Sequence, residues 1–313
     1  MTRTKIAEFF KANDNFVILT HRRPDGDTLG SSAALCRGLR KLGKTAFVLE
    51  NKEITQRHSR LHQGLTKQSV GQEDVLVCVD VASKNMLPEA FLPLAEQIAL
   101  RIDHHKSAES FTPLEWVDPS AAACGQMIYD VLQTLQVELD IPMANALYTA
   151  VSTDTGCFRY ANTQPHTFEV AAACAKVTPD IFEINQLLFE TSSLARLKVQ
   201  GWMLEHMQLL KDGQVAVCPL PLEIEKACGA TEDDLENISG FPRSIEGVKI
   251  AATLRQTDDG KVKISVRAVP GYDASRVCTK FGGGGHKGAA GASLDMSLEA
   301  AAQAVADALL EIV

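Results

Sequence analysis

Four short apolar runs in the first half of the chain each lead into acidic or imidazole side chains. Apolar runs without alternation are typical of strands that are buried on both faces of a parallel sheet. The runs are 16–19, 75–79, 98–102 and 147–153; they are followed by His21, Asp25 and Asp27, by Asp80, by Asp103, His104 and His105, and by Asp154. Because the carboxyl ends of parallel strands meet at one edge of a sheet, we expect these side chains to converge.

Each acidic residue taken alone has an ordinary structural explanation. An aspartate after a strand is commonly a turn residue or the N-cap of a helix. The chain has only 8 histidines, however, and three of them lie beside acids at the ends of these runs. This coincidence favours a metal site over a set of unrelated turns. Aspartate and histidine ligands without cysteine favour Mn²⁺, with Mg²⁺, Co²⁺ and Zn²⁺ as alternatives.

Helical patterns alternate with the apolar runs over residues 1–188. This alternation predicts an α/β domain with a mostly parallel sheet flanked by helices. Thr28 is the predicted N-cap of a helix over 29–42, directly after the first acidic loop. Helices are also predicted over 121–135 and 143–151, so that Asp154 follows either a strand or a helix.

The pattern changes in the last third of the chain. A helical linker is predicted over 189–212, followed by a smaller α/β domain over 213–313. Strands are predicted there over 215–217, 248–254 and 262–267, and a final helix over 298–312. A chain of 313 residues is expected to form two domains with separate cores.

Composition narrows the class of substrate. The net charge of −8 argues against a protein that holds long nucleic acid through a broad basic face. A few basic residues near the predicted loops favour a short or mononucleotide-sized phosphate substrate instead; they are Arg22, Arg23, Arg159, Arg255, Arg267 and Lys287.

Cysteine usage and hydropathy indicate an ordinary globular protein. The 8 cysteines form no Cys-x-x-Cys pair and mostly lie among alanine, valine and leucine, which favours reduced core thiols. The start of the sequence lacks the apolar stretch of a signal peptide, and no run approaches the roughly 20 apolar residues of a membrane span. We therefore expect a cytoplasmic protein without a membrane partner. Four other histidines have no site-like neighbours and are expected to be structural; they are His58, His62, His166 and His206.

The ordered set of acidic and histidine motifs resembles the four motifs of the DHH phosphoesterase superfamily. The glycine-rich segment 281–291, which reads Phe-Gly-Gly-Gly-Gly-His-Lys-Gly-Ala-Ala-Gly, resembles the signature of the associated DHHA1 domain. Together the motifs extend from His21 to Gly291. Within the superfamily the chain is most similar to the stand-alone nanoRNase and pAp phosphatase group, whose small members have this length and motif order.

The resemblance implies a pair of Mn²⁺ ions. His21 and Asp25 would hold one ion, and Asp27, His104 and Asp154 would hold the other. Asp80 would bridge the two ions. The resemblance further implies that His105 faces the phosphoryl group, and that Asp103 orients a neighbouring histidine.

The glycine-rich loop would bind substrate. A run of four glycines alone could be a flexible turn, but backbone without side chains also lets N–H groups approach a phosphate closely. The resemblance implies that His286 touches phosphate and that Arg267 makes a second phosphate or base contact. Arg159 is either a further contact or an ordinary surface arginine. The loop residues implied in binding are Gly283, Gly284, Gly285 and His286.

The implied activity is hydrolysis of short oligoribonucleotides and of 3′-phosphoadenosine 5′-phosphate by in-line attack of water at two metal ions. One alternative is a phosphodiesterase for cyclic di-AMP or its linear product pApA, and another is a nucleotide-binding regulator without catalysis. Related pyrophosphatases have a different C-terminal domain, and related single-strand exonucleases are normally longer. No long duplex partner is expected, and a homodimer is left open.

Overall fold

Three of the four apolar runs form the centre of a six-stranded parallel sheet. The computed structural model describes all residues, 1–313, and divides into two compact units, Met1–Thr191 and Ser192–Val313. The strands of the first unit are β1 (Phe16–Leu19), β2 (Ala46–Leu49), β3 (Thr66–Lys67), β4 (Val75–Val79), β5 (Ile98–Asp103) and β6 (Leu114–Val117). Every residue of β1 is buried, which explains its continuous apolar sequence.

The two faces of this sheet have different covers. Helices pack on one face, where Ile18 and Val77 point, and 3₁₀ turns cover the other face through Leu87 and Phe91. The helices are α1 (Arg3–Ala12), α2 (Gly26–Lys41), α3 (Cys124–Thr134), α4 (Ile141–Asp154), α5 (Pro165–Ala175) and α6 (Ile181–Asn185). The 3₁₀ segments are Ser59–His62, Lys84–Met86 and Glu89–Gln97, and a π-helical turn spans Gln186–Glu190.

The strand order determines where the site forms. The order is β3-β2-β1-β4-β5-β6, and all five pairings are parallel. The chain therefore leaves β1 in one direction towards β2 and β3, and continues on the other side of β1 with β4. Ligand sites of open α/β sheets form at such a switch point, outside the carboxyl ends of the strands. The loops after β1, β4 and β5 all lie at this edge.

One local prediction for this unit needs correction. Thr28 does not cap α2, because Asp25 accepts hydrogen bonds from the backbone N–H groups of Asp27 and Thr28. Aspartate is at least as good an N-cap as threonine, and the helix begins three residues earlier than predicted.

The fourth apolar run is helical, which confirms the helix predicted over 143–151. Asp140 caps α4, and Pro142 lies in its first turn. Of the two possibilities that the sequence left open for Asp154, the structure selects the helix, whose last residue it is.

The second unit is a smaller α/β structure around a mixed sheet, as the sequence pattern predicts. Its strands are β7 (Gln208–Leu210), β8 (Val215–Leu220), β9 (Ile250–Gln256), β10 (Val262–Ala268), β11 (Gly284–Gly285) and β12 (Ala289–Leu294), in the order β11-β12-β10-β9-β8-β7. Its helices are α7 (Leu194–His206), α8 (Leu222–Cys228), α9 (Ala274–Lys280) and α10 (Leu298–Leu310). Only the β8–β9 pair is parallel.

The cysteines and the helices agree with two predictions from the sequence, reduced core thiols and the lack of a membrane-spanning run. The cysteines are free thiols, and six of them are buried: Cys36, Cys78, Cys124, Cys174, Cys218 and Cys278. None of the helices combines the length and the apolar character needed to cross a membrane.

Close packing of α2 on α4 positions the two helices that carry Asp27 and Asp154. A Cβ atom added at Gly30 would lie 2.2 Å from the backbone oxygen of Ala146 and 3.0 Å from Ala150 Cβ. Backbone atoms inside a packed helix pair cannot move aside as the end of a flexible side chain can. Glycine is therefore required at this helix crossing.

We expect Gly30→Ala to lower the free energy of unfolding by about 1–3 kcal/mol, the usual cost of overpacking. Gly201→Ala is the matched control, since a Cβ at that exposed position of α7 meets nothing within 4 Å. Alanine is the better helix former, so the control should raise stability by about 0.5–1 kcal/mol. Urea unfolding of both variants measures the difference; equal effects would show that the crossing is not tightly packed.

Candidate metal centre

Seven of the predicted side chains meet at the carboxyl edge of the first sheet. They form three overlapping groups whose potential ligand atoms lie within 4.8 Å of one another: His21, Asp25 and Asp80; Asp27, His104 and Asp154; and Asp80, His104 and His105. Asp80 belongs to two of the groups, and His104 joins the second to the third. The structure thus brings together the loops that follow β1, β4 and β5 and the end of α4.

The loop after β1 holds His21 through contacts on both sides. Asn51 donates hydrogen bonds to Thr20 Oγ1 (3.1 Å) and to the backbone oxygen of His21 (3.0 Å). The His21 Nδ1 atom lies 2.7 Å from the backbone oxygen of Arg22, to which its N–H donates. This hydrogen bond leaves Nε2 as the ligand atom, in the arrangement that usually orients a metal-binding imidazole.

Asp80 faces histidines on two sides. Its Oδ2 lies 3.5 Å from His21 Nε2, and its Oδ1 lies 3.5 Å from His104 Nε2. The side chain is only 3% exposed, and Oδ1 is buried without a hydrogen-bond partner. The residue has a left-handed backbone conformation (φ +60°), which costs energy and is concentrated at functional sites. An orphaned, buried carboxylate oxygen between two imidazoles is the expected geometry of a bridging ligand before the cation is added.

The spacing of the ligand atoms fits a shared cation better than direct hydrogen bonds. His104 Nε2 lies 3.6 Å from Asp27 Oδ2 and 3.6 Å from Asp154 Oδ2, and His21 Nε2 lies 3.6 Å from Asp25 Oδ1. Hydrogen bonds of this type are usually about 2.7–3.2 Å long. Two ligand atoms that each lie about 2.2 Å from one cation are roughly 3.1–3.6 Å apart at coordination angles of about 90–110°. The donor set therefore fits a divalent metal.

Asp27 is held by the start of another helix. Its Oδ2 accepts a hydrogen bond from Cys124 N (2.6 Å), and its Oδ1 accepts from Gly125 N (2.8 Å) and Ser31 Oγ (3.0 Å). The first N–H groups of α3 have no partner within their own helix, and their partial positive charge stabilises a carboxylate. Asp27 consequently has a fixed orientation before any ligand binds.

His105 is oriented by a buried pair of charges on β5. Asp103 Oδ1 lies 2.8 Å from His105 Nδ1, and its other oxygen lies 3.7 Å from Arg101 Nη1. Arg101 is 1% exposed and also contacts Glu115 Oε2 at 3.2 Å, besides donating to the backbone oxygens of Val81 and Ala82. Alternate strand residues share a face, so Arg101 and Asp103 lie on one side of β5. His105 thereby presents Nε2 at the open side of the site.

Excess negative charge makes the cluster a strong binder of protons in the absence of a cation. Burial and the charges of Asp80 and Asp154 raise the pKa of Asp27 well above its usual value. Burial, with the charges of Asp80 and Asp25, raises the pKa of Asp154 to about 7 against the attraction of His104. Burial would lower the pKa of His104, but Asp80 and Asp27 attract its positive charge and raise the pKa to about 11. The same balance with Asp25 and Asp80 raises the pKa of His21.

Several supporting residues were missed by sequence reasoning. Ser31 follows Asp27 by one helical turn, which was a usable signal. Arg101 lies inside an apolar run two positions before Asp103, and Asn51 lies in a loop distant in sequence. Neither position carries a local signal, because each acts through a contact that only the folded chain makes. His58 and His62 are buried, as expected for structural histidines. His62 forms a hydrogen bond with Ser32.

The glycine-rich segment lies in the second unit and forms a hairpin. β11 pairs antiparallel with β12, and His286 N donates to Ala289 O (2.8 Å) in the connecting turn. Arg267 on β10 is opposite Ala289 on β12, so that Arg267 and the exposed His286 lie at the same end of this sheet. Their contact with substrate stays a prediction.

Packing explains part of the glycine content. A Cβ at Gly283 would lie 2.2 Å from the backbone oxygen of Gly291, and one at Gly285 would lie 2.6 Å from that of Ala289. Gly282 has a positive φ of +72°. Gly284 has neither constraint, because a Cβ there meets nothing within 4 Å. Gly284 is thus the one position of the four whose glycine the hairpin itself does not require.

The basic residues singled out from the sequence have different surroundings. Arg255 makes a two-pronged ion pair with Glu225 (2.7 and 3.0 Å) and also contacts Glu232 (2.8 Å). Two carboxylates therefore hold its side chain, and the sequence spacing does not reveal these partners. Arg159 is exposed in the turn after Asp154, where its Nε donates to Gly156 O (2.6 Å).

Family models match both units of the chain. The model described as the DHH family, N-terminal domain, matches residues 15–151, and the DHHA1 domain model matches residues 212–312. A bifunctional oligoribonuclease and PAP phosphatase NrnA from Thermus thermophilus is 33% identical over 98% of this chain and 93% of that relative.

Solved structures share the fold. An exopolyphosphatase-related protein from Bacteroides fragilis superposes with a TM-score of 0.90 at 24% identity, over 99% of this chain and 95% of that one. RecJ from Thermus thermophilus, solved in complex with Mn²⁺, has a TM-score of 0.51 at 14% identity, over 98% of this chain and 53% of RecJ.

We expect Mn²⁺ binding to release protons at pH 7 and to tighten between pH 6 and pH 8. The raised pKa values of His104 and Asp154 mean that the metal-free cluster holds protons that a cation must displace, and fewer remain at higher pH. Calorimetric titration in two buffers of different ionisation enthalpy measures the release. Equal heats in both buffers, with an affinity that does not vary with pH, would contradict it; His206→Gln, outside the cluster, is the control.

Proposed function

Since this chain belongs to the DHH family and carries a DHHA1 domain, it is a phosphoesterase, and we propose that its substrates are short oligoribonucleotides and 3′-phosphoadenosine 5′-phosphate. The observation that carries the proposal is the placement of Asp80. One of its carboxylate oxygens lies 3.5 Å from His21 Nε2, and the other lies 3.5 Å from His104 Nε2, which belongs to a different ligand group. The name of the 33% identical relative supports this choice of substrates.

Two divalent cations, Mn²⁺ by preference, complete the proposed site. His21 and Asp25 would hold one, Asp27, His104 and Asp154 the other, and Asp80 would contact both, as the three geometric groups suggest. When bound, such a pair supplies a hydroxide at neutral pH and offsets charge on the phosphoryl oxygens. The manganese in the RecJ structure supports the choice of metal.

His105 is the residue best placed to act on the phosphoryl group itself. Its side chain is 30% exposed, and its Nδ1 is held by Asp103, so that Nε2 is available to a ligand. Burial would lower the pKa of His105, but Asp103 outweighs this effect and raises it. A raised pKa favours the imidazolium form, which can donate a hydrogen bond to a phosphoryl oxygen or a proton to the leaving oxygen.

A short substrate agrees with the negative net charge and with the small number of basic residues near the site. A net charge of −8 disfavours binding of long strands, whose affinity depends on many phosphate contacts. The exposed His286 and Gly284, with Arg267 beside them, provide a small set of contacts for a terminal nucleotide. Arg159 beside Asp154 would add one more. From the sequence we also expect a cytoplasmic location. A homodimer is left open.

A side-by-side turnover assay tests the substrate class. Manganese-dependent hydrolysis should be fast on ribonucleotide dimers to pentamers and on 3′-phosphoadenosine 5′-phosphate, and should fall at least tenfold on long single strands, because few basic residues are available to hold additional phosphates. Asp80→Asn should reduce every rate to background while Asp259→Asn, in an exposed hairpin, should not. Preferred turnover of linear or cyclic di-AMP would select the alternative phosphodiesterase, and binding without turnover would select the regulator.

The division of work between the two units has its own test. His286→Ala should lower kcat/KM for natural nucleotides roughly tenfold to a hundredfold, the effect of losing a hydrogen bond to a charged group. Gly284→Ala should also lower it, because the added Cβ would occupy the space open to a ligand. Both variants should spare bis(p-nitrophenyl) phosphate, which lacks the remote groups whose binding positions the reacting phosphate. An equal loss on both substrates would show that these residues support the chemical step instead. Gly201→Ala again serves as the neutral control.

A further inference from the structure

A second cavity in the first unit is separate from the metal centre. It has a volume of about 600 Å³, within the usual range for small-molecule sites. Arg37 lines it from α2, and Asn145 and Thr149 line it from α4. Arg37 follows Asp27 by ten residues along α2, which is about 15 Å of helix. The metal ligands therefore do not line this cavity.

One wall of the cavity is basic. Arg37, Arg57 and Arg60 all line it, and their guanidinium groups form no ion pair with a carboxylate. The Nε atom of Arg37 is buried and has no hydrogen-bond partner. A buried donor without a partner is uncommon in folded proteins and is explained by a ligand that supplies the acceptor. Arginine is the side chain best suited to binding phosphate oxygens.

The turn that carries Arg60 is held against α2 by hydrogen bonds. His62 Nε2 lies 2.8 Å from Ser32 Oγ and 3.2 Å from the backbone oxygen of Leu29, which joins the Ser59–His62 turn to α2. Burial lowers the pKa of His62 to about 4, so the ring is neutral and the attachment persists at physiological pH. Arg57 and Arg60 are thus presented by a fixed turn.

Acidic and apolar side chains line the same cavity. Asp180 and Glu183 line it from the start of α6, and Asn145 donates to Asp180 Oδ2 (2.8 Å). Leu61, Ile184 and Leu187 also line it, the last from the π-helical turn. Such turns occur frequently at functional sites. A matching ligand combines an anionic group, an apolar body and hydrogen-bond donors.

We propose that this cavity is a second nucleotide-binding site, which takes a mononucleotide whose base bears an amino group. The phosphate lies against Arg37, Arg57 and Arg60, the base packs on Leu61 and Leu187, and the exocyclic amine donates to Asp180 or Glu183. The proposal does not rest on the proposed catalytic function, because no residue of the metal centre or of the glycine-rich hairpin takes part.

Calorimetric titration of the full chain with adenosine 5′-monophosphate in EDTA tests the proposal. The wild-type chain should bind one equivalent, and Arg37→Gln combined with Arg57→Gln should weaken binding at least tenfold, the contribution of one or more charge-assisted hydrogen bonds. Arg3→Gln changes an exposed arginine elsewhere in this unit; it is the control for the loss of a surface arginine and should bind as wild type.

If the double variant fails to fold, Arg60→Gln provides the same test at an exposed position. This variant should also bind adenosine 5′-monophosphate more weakly than the wild type. Photolabelling with 8-azidoadenosine 5′-monophosphate should mark peptides within 57–61 or 180–188. Uridine 5′-monophosphate, adenosine and inorganic phosphate should each bind more weakly than the adenine nucleotide. Absence of binding, binding that the arginine variants leave unchanged, or equal binding of inorganic phosphate would overturn the proposal.

Discussion

The carboxylate of Asp80 is the group on which the arrangement of the site depends. It is buried, it lies at the switch point of the sheet, and its two oxygens face imidazoles from two ligand groups. A buried carboxylate is costly unless a positive charge compensates it. In the metal-free cluster, protons on His21 and His104 provide that charge. The same electrostatic demand that raises those pKa values would favour binding of divalent cations by the cluster.

The remaining fold serves to hold this charge cluster in place. Asp27 is fixed by N–H groups at the start of α3, and the tight crossing at Gly30 holds α2 against α4, which ends at Asp154. Arg101 stabilises Asp103, which in turn orients His105. Asp27 and Asp154 are thus held by contacts between elements, and such supporting contacts commonly determine the affinity and orientation of metal ligands.

The glycines of the hairpin are present for two different reasons. Gly283 and Gly285 are glycines because a side chain would collide with the paired strand, whereas Gly284 faces open space. A sequence comparison treats the four glycines alike. Their steric surroundings separate the ones that close packing of the strands requires from the one that leaves room for a ligand.

Much of the site was predictable from the sequence, because it depends on local patterns. The buried strands, the acidic and imidazole residues that follow them, and the change to a second α/β unit all appear in the apolar periodicity, and the motif order indicated the family. The misplaced cap has a local cause, since Asp25 and Thr28 are both good caps, and the run before Asp154 was left open because it is apolar as a strand or as a helix. Only the tertiary structure decided that the oxygens of Asp80 face different histidines, that Arg101 supports Asp103, that Arg255 is held by glutamates, and that three arginines line one cavity. Periodicity and caps are determined by neighbours along the chain, whereas these distances depend on strand order and helix packing, which join residues far apart in sequence.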